Sequence, residues 1–262
     1  MITSKENQRI KNIIKLQKSS ERLSQGLFVV EGYREIERAL ISGYEINALF
    51  ACEEITKSTE LKSIIQKTSK PNETEHVSKE VFEKLAYREG SDGLIAVFKP
   101  RILQLSDLKL SDNPLIIILE SIEKPGNLGA VLRTADAAGV DAVILCDTLP
   151  DLYNPNIIRS SLGCIFSQQI VSTTTEAAIN WLKKKNISIF CTYLDASVDY
   201  RTIDYVGSSA IVMGAESTGL SDSWIKNSTQ NIIIPMKGIA DSLNVSVSSA
   251  IVVFEALRQR QK

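Results

Sequence analysis

The sequence predicts an α/β protein with two domains, and three observations carry that expectation. Short β-branched runs alternate with stretches of helical periodicity along the chain. In the second half those runs are apolar almost throughout, as strands buried on both faces of a mostly parallel sheet should be. The length, 262 residues of which 44% are hydrophobic and 23% charged, exceeds one average domain and falls short of three.

Taken in order, residues 1–30 hold Lys5, Arg9, Lys11, Lys15, Lys18 and Arg22 against Glu6 and Glu21. Ile10, Ile13, Ile14 and Leu16 recur at helical spacing among them, which predicts an amphipathic helix with a basic solvent face able to meet phosphates. GLFVV (26–30) reads as a strand. It feeds EGYREIERALISG, a helix with an apolar stripe at Ile36, Ala39 and Leu40, closed by Gly43. INALFA, Lys57–Lys67, Glu75–Val77 and LIAVF (94–98) then read as strand, polar helix, short strand and strand. These make a small α/β domain over 1–98. Residues 99–113 carry little sustained period and read as a linker.

The second domain, 114–262, is built on LIIIL, AVILC (142–146), ISIFCTYL (187–194), AIVMG (210–214) and NIIIP (231–235) as strands. Helices are expected at 127–138, 156–166, 175–185 and 220–227, and again over Ala250–Leu257. Pro125, Gly126 and Gly129 argue against an earlier helix start in the first of these. Residues 242–246 alternate polar and apolar as a strand does, although a helix start with backbone-bonded serines is the other reading.

Composition narrows the chemistry. Thirty Lys plus Arg against 31 Asp plus Glu give a net charge of -1, so nucleic acid would have to be met by local patches. Cys52, Cys146, Cys164 and Cys191 are far apart and His76 is the only histidine, so no metal cluster and no histidine-dependent triad can be assembled. The longest aliphatic run, Leu115–Leu119, is too short to cross a bilayer, and the basic, polar start lacks a signal's apolar core. The sequence therefore predicts a cytoplasmic chain without membrane or metal.

In a doubly wound sheet, ligands sit beyond the carboxyl ends of the strands, so the segments that follow strands matter most. After LIIIL comes ESIEKPGNLGAVLRTADAAG, with Asn127 and Arg133 as an amide and a guanidinium able to recognise ribose and phosphate. After AIVM comes MGAESTGLSDSW, in which Gly214 and Gly219 permit close backbone approach and Glu216 lies between them. The third, IPMKGIADSLNVSVSSA, offers Ser242, Asn244 and Ser246 among aliphatics. No G-x-G-x-x-G follows any strand, which weighs against a nicotinamide oxidoreductase.

In this order the three segments resemble the SpoU (TrmH) family of RNA ribose 2′-O-methyltransferases, in the SPOUT superfamily. Asn127, Gly129 and Arg133 are similar to the family's N-x-G-x-x-x-R. Gly214, Glu216, Gly219 and Leu220 are similar to its G-x-E-x-x-G-L, and Ile234–Met236, Gly238 and Ser242–Ser246 to its third motif. FVVEGYREIERAL, with Glu31, Gly32 and Arg34, resembles the entry to the RNA-binding domain of ribosomal-protein fold that precedes the catalytic domain in many members.

The resemblance implies a trefoil knot, a homodimer, and S-adenosylmethionine held by Gly214, Ile234, Met236 and Leu243. It also implies catalysis by Arg133, with Asn127, Glu216, Ser242 and Asn244 orienting the ribose or that arginine. RNA contacts are expected at Lys11, Lys15, Lys18 and Arg34. Ribosomal RNA is the expected substrate, transfer RNA the alternative, and a catalytically idle RNA-binding protein the rival from another class.

Overall fold

The computed structural model describes residues 1–68, 74–147 and 151–261. Its contacts divide the chain into two units, Met1–Arg101 with Asp151–Ser167, and Ile102–Pro150 with Gln168–Lys262.

In the first unit, α1 (Gln8–Lys15) and α2 (Ser19–Gln25) precede β1 (Phe28–Glu31), α3 (Tyr33–Ile41), β2 (Ile46–Ala51), α4 (Ser58–Lys67), β3 (Thr74–His76), α5 (Lys79–Leu85) and β4 (Leu94–Phe98). The sheet order is β1-β4-β2-β3, with β4 antiparallel to β1 and β2, and β3 parallel to β2. Asn7 caps α1 by accepting from the Arg9 amide at 2.9 Å. As the stripe requires, Ile10, Ile13 and Leu16 are buried, and they pack with Phe50, Phe82 and Val97. Arg22 departs from the basic-face expectation. It is buried, bonds the Leu16 carbonyl at 2.6 Å and pairs with Asp151, so its charge serves the fold.

The second unit opens with β5 (Leu115–Glu120), α6 (Pro125–Ala138) and β6 (Ala142–Cys146). The chain then supplies α7 (Pro155–Ser160) and a 3-10 turn at Cys164–Phe166 to the first unit, where Tyr153 stacks on Phe28 with ring centroids 4.0 Å apart. The single helix expected over 156–166 is therefore broken: Leu162 and Gly163 both take positive φ, a conformation that ends a helix.

The chain continues with β7 (Ile170–Thr173), α8 (Thr175–Lys184), β8 (Ser188–Thr192), β9 (Val198–Asp199), β10 (Ser209–Met213), α9 (Asp222–Asn227), β11 (Gln230–Ile233) and α10 (Val245–Arg260). The sheet order is β7-β6-β5-β10-β8-β11-β9 and every one of these pairings is parallel. All six residues of β5 are buried, as are all five of β6 and of β10.

Three local expectations change. Helix α6 starts at Pro125 rather than 127, because proline's fixed φ suits the first helical position, where its missing N–H is no loss. Residues 242–246 are a helix entry: Asn244 caps α10, accepting from the Ser246 amide at 3.0 Å. Much of the expected linker is packed structure, since Leu103, Leu105, Leu108 and Leu110 lie against the second unit's core and Lys109 exchanges hydrogen bonds with Gln169.

Candidate cofactor and RNA site

Strands β5 and β10 are neighbours, yet β5 continues to β6 on one side while β10 continues to β11 on the other. This is the reversal of strand order at which open α/β sheets bind ligands. Beyond the ends of β8, β10 and β11 lies a cavity of about 670 Å³, within the range of small-molecule sites. Gly214–Gly219 form one wall, Ile232–Ile234 and Met236 another, and Asp241–Val245 a third. The expected cofactor residues Gly214, Ile234, Met236 and Leu243 all line it, as does Ser242.

The glycine-rich wall is folded tightly on itself. A methyl group on Gly214 would run into the Gly219 carbonyl and come within 2.6 Å of the Leu220 nitrogen. Gly219 has φ +67°, in the region that favours glycine. Its amide bonds the Ala215 carbonyl at 2.9 Å.

Glu120, buried at the end of β5, anchors the far end of this loop. It accepts from the Ser221 amide and hydroxyl, both at 2.7 Å, and from the Thr175 hydroxyl at 3.0 Å. Thr175 in turn accepts from the indole of fully buried Trp224 at 3.1 Å. A buried carboxylate costs little when donors surround it in this way.

A second, smaller cavity of about 80 Å³ shares the Gly214–Ser217 wall and Val245 with the first. It adds Ser121, Ile122, Glu123, Lys124 and Asn127. Glu216 stands between the two. One of its oxygens accepts from Asn127 at 2.9 Å and from Asn244 at 2.6 Å, and the other pairs with Lys124. Asn244 also donates to Asn127 at 3.2 Å. Lys124 first, then the Asn127 amide, holds the Glu216 carboxyl below the usual range, and Glu216 in return raises the Lys124 ammonium.

The structure thus brings Asn127, Glu216 and Asn244 together and places Ser242 on the cavity wall. Arg133 is exposed, lines neither cavity and makes no hydrogen bond or ion pair among the described residues. Six residues along a helix rotate a side chain by about 600°, roughly 120° away from Asn127, so the two do not share a face. Glu216 accordingly fixes the two asparagines and not Arg133.

On the first unit, Lys11 pairs with Glu6 at 2.5 Å and Arg34 with Glu35 at 2.9 Å, while Lys15 and Lys18 are exposed without a partner among the described residues. Sequence reasoning missed Lys124, Glu120, Asp195 and Asp241. Lys124 directly precedes the Pro-Gly-Asn of the first motif and Glu120 is the single acid in an aliphatic strand, so both had a local signal. The aspartates, which line the large cavity, had none. Among the described residues no cluster of metal-ligating side chains occurs, and no helix is long and apolar enough to cross a membrane.

Known proteins share this architecture. Residues 114–254 match the SpoU rRNA Methylase family and residues 7–96 the MRM3-like substrate binding domain. The Bacillus subtilis 23S rRNA (guanosine(2553)-2′-O)-methyltransferase RlmP is 29% identical over 97% of both chains. The Escherichia coli tRNA (guanosine(18)-2′-O)-methyltransferase is 39% identical over 56% of this chain and 64% of its own. An AdoMet-bound rRNA methyltransferase from Sinorhizobium meliloti superposes with a TM-score of 0.90 at 30% identity, over 98% of this chain and 97% of that one. The chain belongs to the SpoU rRNA methylase family and is an S-adenosylmethionine-dependent RNA 2′-O-ribose methyltransferase.

Proposed function

We propose that the chain methylates a ribose of ribosomal RNA, with the Asn127–Glu216–Asn244 cluster as the meeting point of cofactor and nucleotide. That cluster carries the reading, because it joins the two cavities through one carboxylate. The large cavity suits S-adenosylmethionine chemically. Its aliphatic walls and folded glycine loop can enclose an adenine. Its ionisable lining is Asp195, Glu216, Asp241 and two tyrosines, with no Lys, Arg or His among the described residues, which favours a cationic ligand over a phosphate-bearing one.

When bound, S-adenosylmethionine supplies a methyl group on a sulfonium that leaves as a neutral thioether. The protein's part is to align the 2′ oxygen, exclude water and accommodate the hydroxyl proton. Asn127 and Asn244, locked by Glu216, orient the ribose, and Ser242 adds a hydroxyl to the same wall. Arg133, reaching this centre from a second copy of the chain, positions the phosphate and stabilises the developing alkoxide, and the hydroxyl proton passes to solvent as the carbon–oxygen bond forms.

The other components follow the same reading. Helix α6 packs along α10, and both present exposed side chains: Arg133 on α6, Val247 and Phe254 on α10. An exposed apolar pair on a carboxyl-terminal helix suits a homodimer interface, which gives Arg133 a second copy to face. Strand β11 lies between β8 and β9, two strands formed earlier in the chain, an order compatible with the trefoil knot that the resemblance implies. The amino-terminal domain, with Lys15 and Lys18 free on its surface, binds the RNA in the cytoplasm. Ribosomal RNA is favoured over transfer RNA because similarity to the 23S enzyme spans both domains, whereas similarity to the tRNA enzyme spans little more than one.

The test is to incubate the protein with radiolabelled S-adenosylmethionine and unmodified total RNA, then digest the labelled fraction with alkali. Alkali-resistant dinucleotides from large RNA support the reading, because a 2′-O-methyl group blocks cleavage at its own phosphodiester. Label in small RNA moves the substrate to transfer RNA, and no label in any fraction favours an idle binder. Arg133→Ala should reduce transfer at least 100-fold; near-normal turnover would remove Arg133 from the mechanism.

A further inference from the structure

We propose that Lys124 grips the RNA phosphate next to the target ribose, exchanging its ion pair with Glu216 for that phosphate as the nucleotide enters. The inference rests on the ribose-methylation reading above and names a residue that neither motif spacing nor the resemblance assigns.

The two cavities meet at the Gly214–Ser217 wall, and their combined lining is acidic: Asp195, Glu216 and Asp241 in the large one, Glu123 and Glu216 in the small one. Among the described residues that line either cavity, Lys124 is the single cation. A nucleotide cannot bring its ribose to Asn127 without bringing flanking phosphates to the same place. Against carboxylates alone that approach is repulsive, so a cation at the site is required. Arg133 lines neither cavity of its own copy, so within one chain the incoming phosphate has Lys124 to meet.

Position and mobility fit the role. Lys124 immediately precedes Pro125, whose ring fixes the start of α6, and Asn127 follows three residues later, its amide bonded to the Lys124 carbonyl at 3.1 Å. The backbone beneath the lysine is therefore held in register with the residue that orients the ribose. Its side chain is 70% exposed and only its tip is engaged, by Glu216. An ion pair of that kind is weak in water and exchanges readily for another anion. Departure of the ammonium frees one oxygen of Glu216, while the other still holds Asn127 and Asn244. The lysine thus neutralises Glu216 before RNA arrives and the phosphate afterwards.

The test compares full-length wild type, Lys124→Gln, Lys124→Arg and Glu216→Gln. RNA affinity is measured by filter binding of unmodified ribosomal RNA across a potassium chloride series, methyl transfer is measured separately, and S-adenosylhomocysteine affinity is measured by calorimetry. Loss of one phosphate contact should flatten the slope of log affinity against log salt by about 0.7 to 0.9 in Lys124→Gln. RNA binding at low salt should weaken about tenfold, S-adenosylhomocysteine affinity should stay within twofold, and Lys124→Arg should restore the slope. Glu216→Gln should keep the wild-type slope and lose turnover. A wild-type slope in Lys124→Gln overturns the proposal, and if turnover alone falls the lysine merely holds Glu216. Wild type that binds S-adenosylhomocysteine yet methylates no RNA overturns the underlying reading and this one with it.

Discussion

Gly214→Ala is the sharpest probe of the proposed cofactor cavity. The added methyl would meet backbone, the Gly219 carbonyl and the Leu220 nitrogen at 2.6 Å, and not a side chain that can rotate away. Ordinary contact is about 3.5 Å, so the Gly219–Leu220 peptide must retreat by about 1 Å. Overpacking of this kind costs about 1–3 kcal/mol. Because the same loop walls the cavity, that strain should appear in binding: at 1.4 kcal/mol per factor of ten, S-adenosylhomocysteine should bind roughly 5- to 150-fold more weakly. To the extent that the loop does not yield, the cost lowers Tm instead, by roughly 2–4 °C per kcal/mol for a domain of this size. Calorimetry with S-adenosylhomocysteine and a thermal scan separate the two. Gly207→Ala, where a methyl meets nothing within 4 Å, is the matched control and should change neither. Wild-type affinity and Tm in Gly214→Ala would refute the claim that this backbone approach shapes the site.

Other outcomes follow from the same structure. Glu120→Ala leaves the Ser221 amide and hydroxyl and the Thr175 hydroxyl without their acceptor, so it should destabilise by about 3 kcal/mol or more, with a shift in Trp224 emission. Glu120→Gln, which keeps one carbonyl acceptor, should cost less than half as much in denaturant unfolding. All four cysteines are buried, and burial pushes the Cys146 and Cys191 thiols up to about 12; a thiol reagent should therefore react with fewer than one per native chain and with four after denaturation. Arg258 first, then Gln259, holds the Glu255 carboxyl at about 2, against an ordinary 4.5. A carboxyl lowered on folding stabilises above its unfolded value and loses that contribution as pH falls through the folded one. The stability gap between wild type and Glu255→Gln should be constant above pH 5 and close by about pH 2; a gap that widened on acidification would contradict the assignment.

The fold was legible in the sequence wherever a strand was uniformly apolar. LIIIL, AVILC and AIVM each declare two-sided burial, and each is a central strand of the parallel sheet. Candidate site residues were legible through the resemblance of three motifs, and the fold brings Asn127, Glu216 and Asn244 together from segments about ninety and thirty residues apart. What escaped lacked such a pattern. Lys124 stands beside the first motif, but its place as the cation among acidic cavity walls is a three-dimensional property. Arg133 shares a motif with Asn127, yet helical rotation sends it to another face. The inward turn of Arg22 depends on Asp151, more than a hundred residues away, and no local period could announce that.

The contribution of Asp151–Ser167 to the first unit has a consequence for how the chain comes into being. An amino-terminal fragment ending at Arg101 lacks the Tyr153 and Phe166 rings that stack on Phe28 and the carboxylate that neutralises buried Arg22, so its aromatic cluster is incomplete and an interior charge is unmatched. During synthesis the first unit stays unfinished while β5, α6 and β6 of the second emerge. Neither unit is a segment that evolution or a cloner can lift out by one cut. Any exchange of substrate-binding domains between relatives has to carry the distant patch along with the amino-terminal hundred residues.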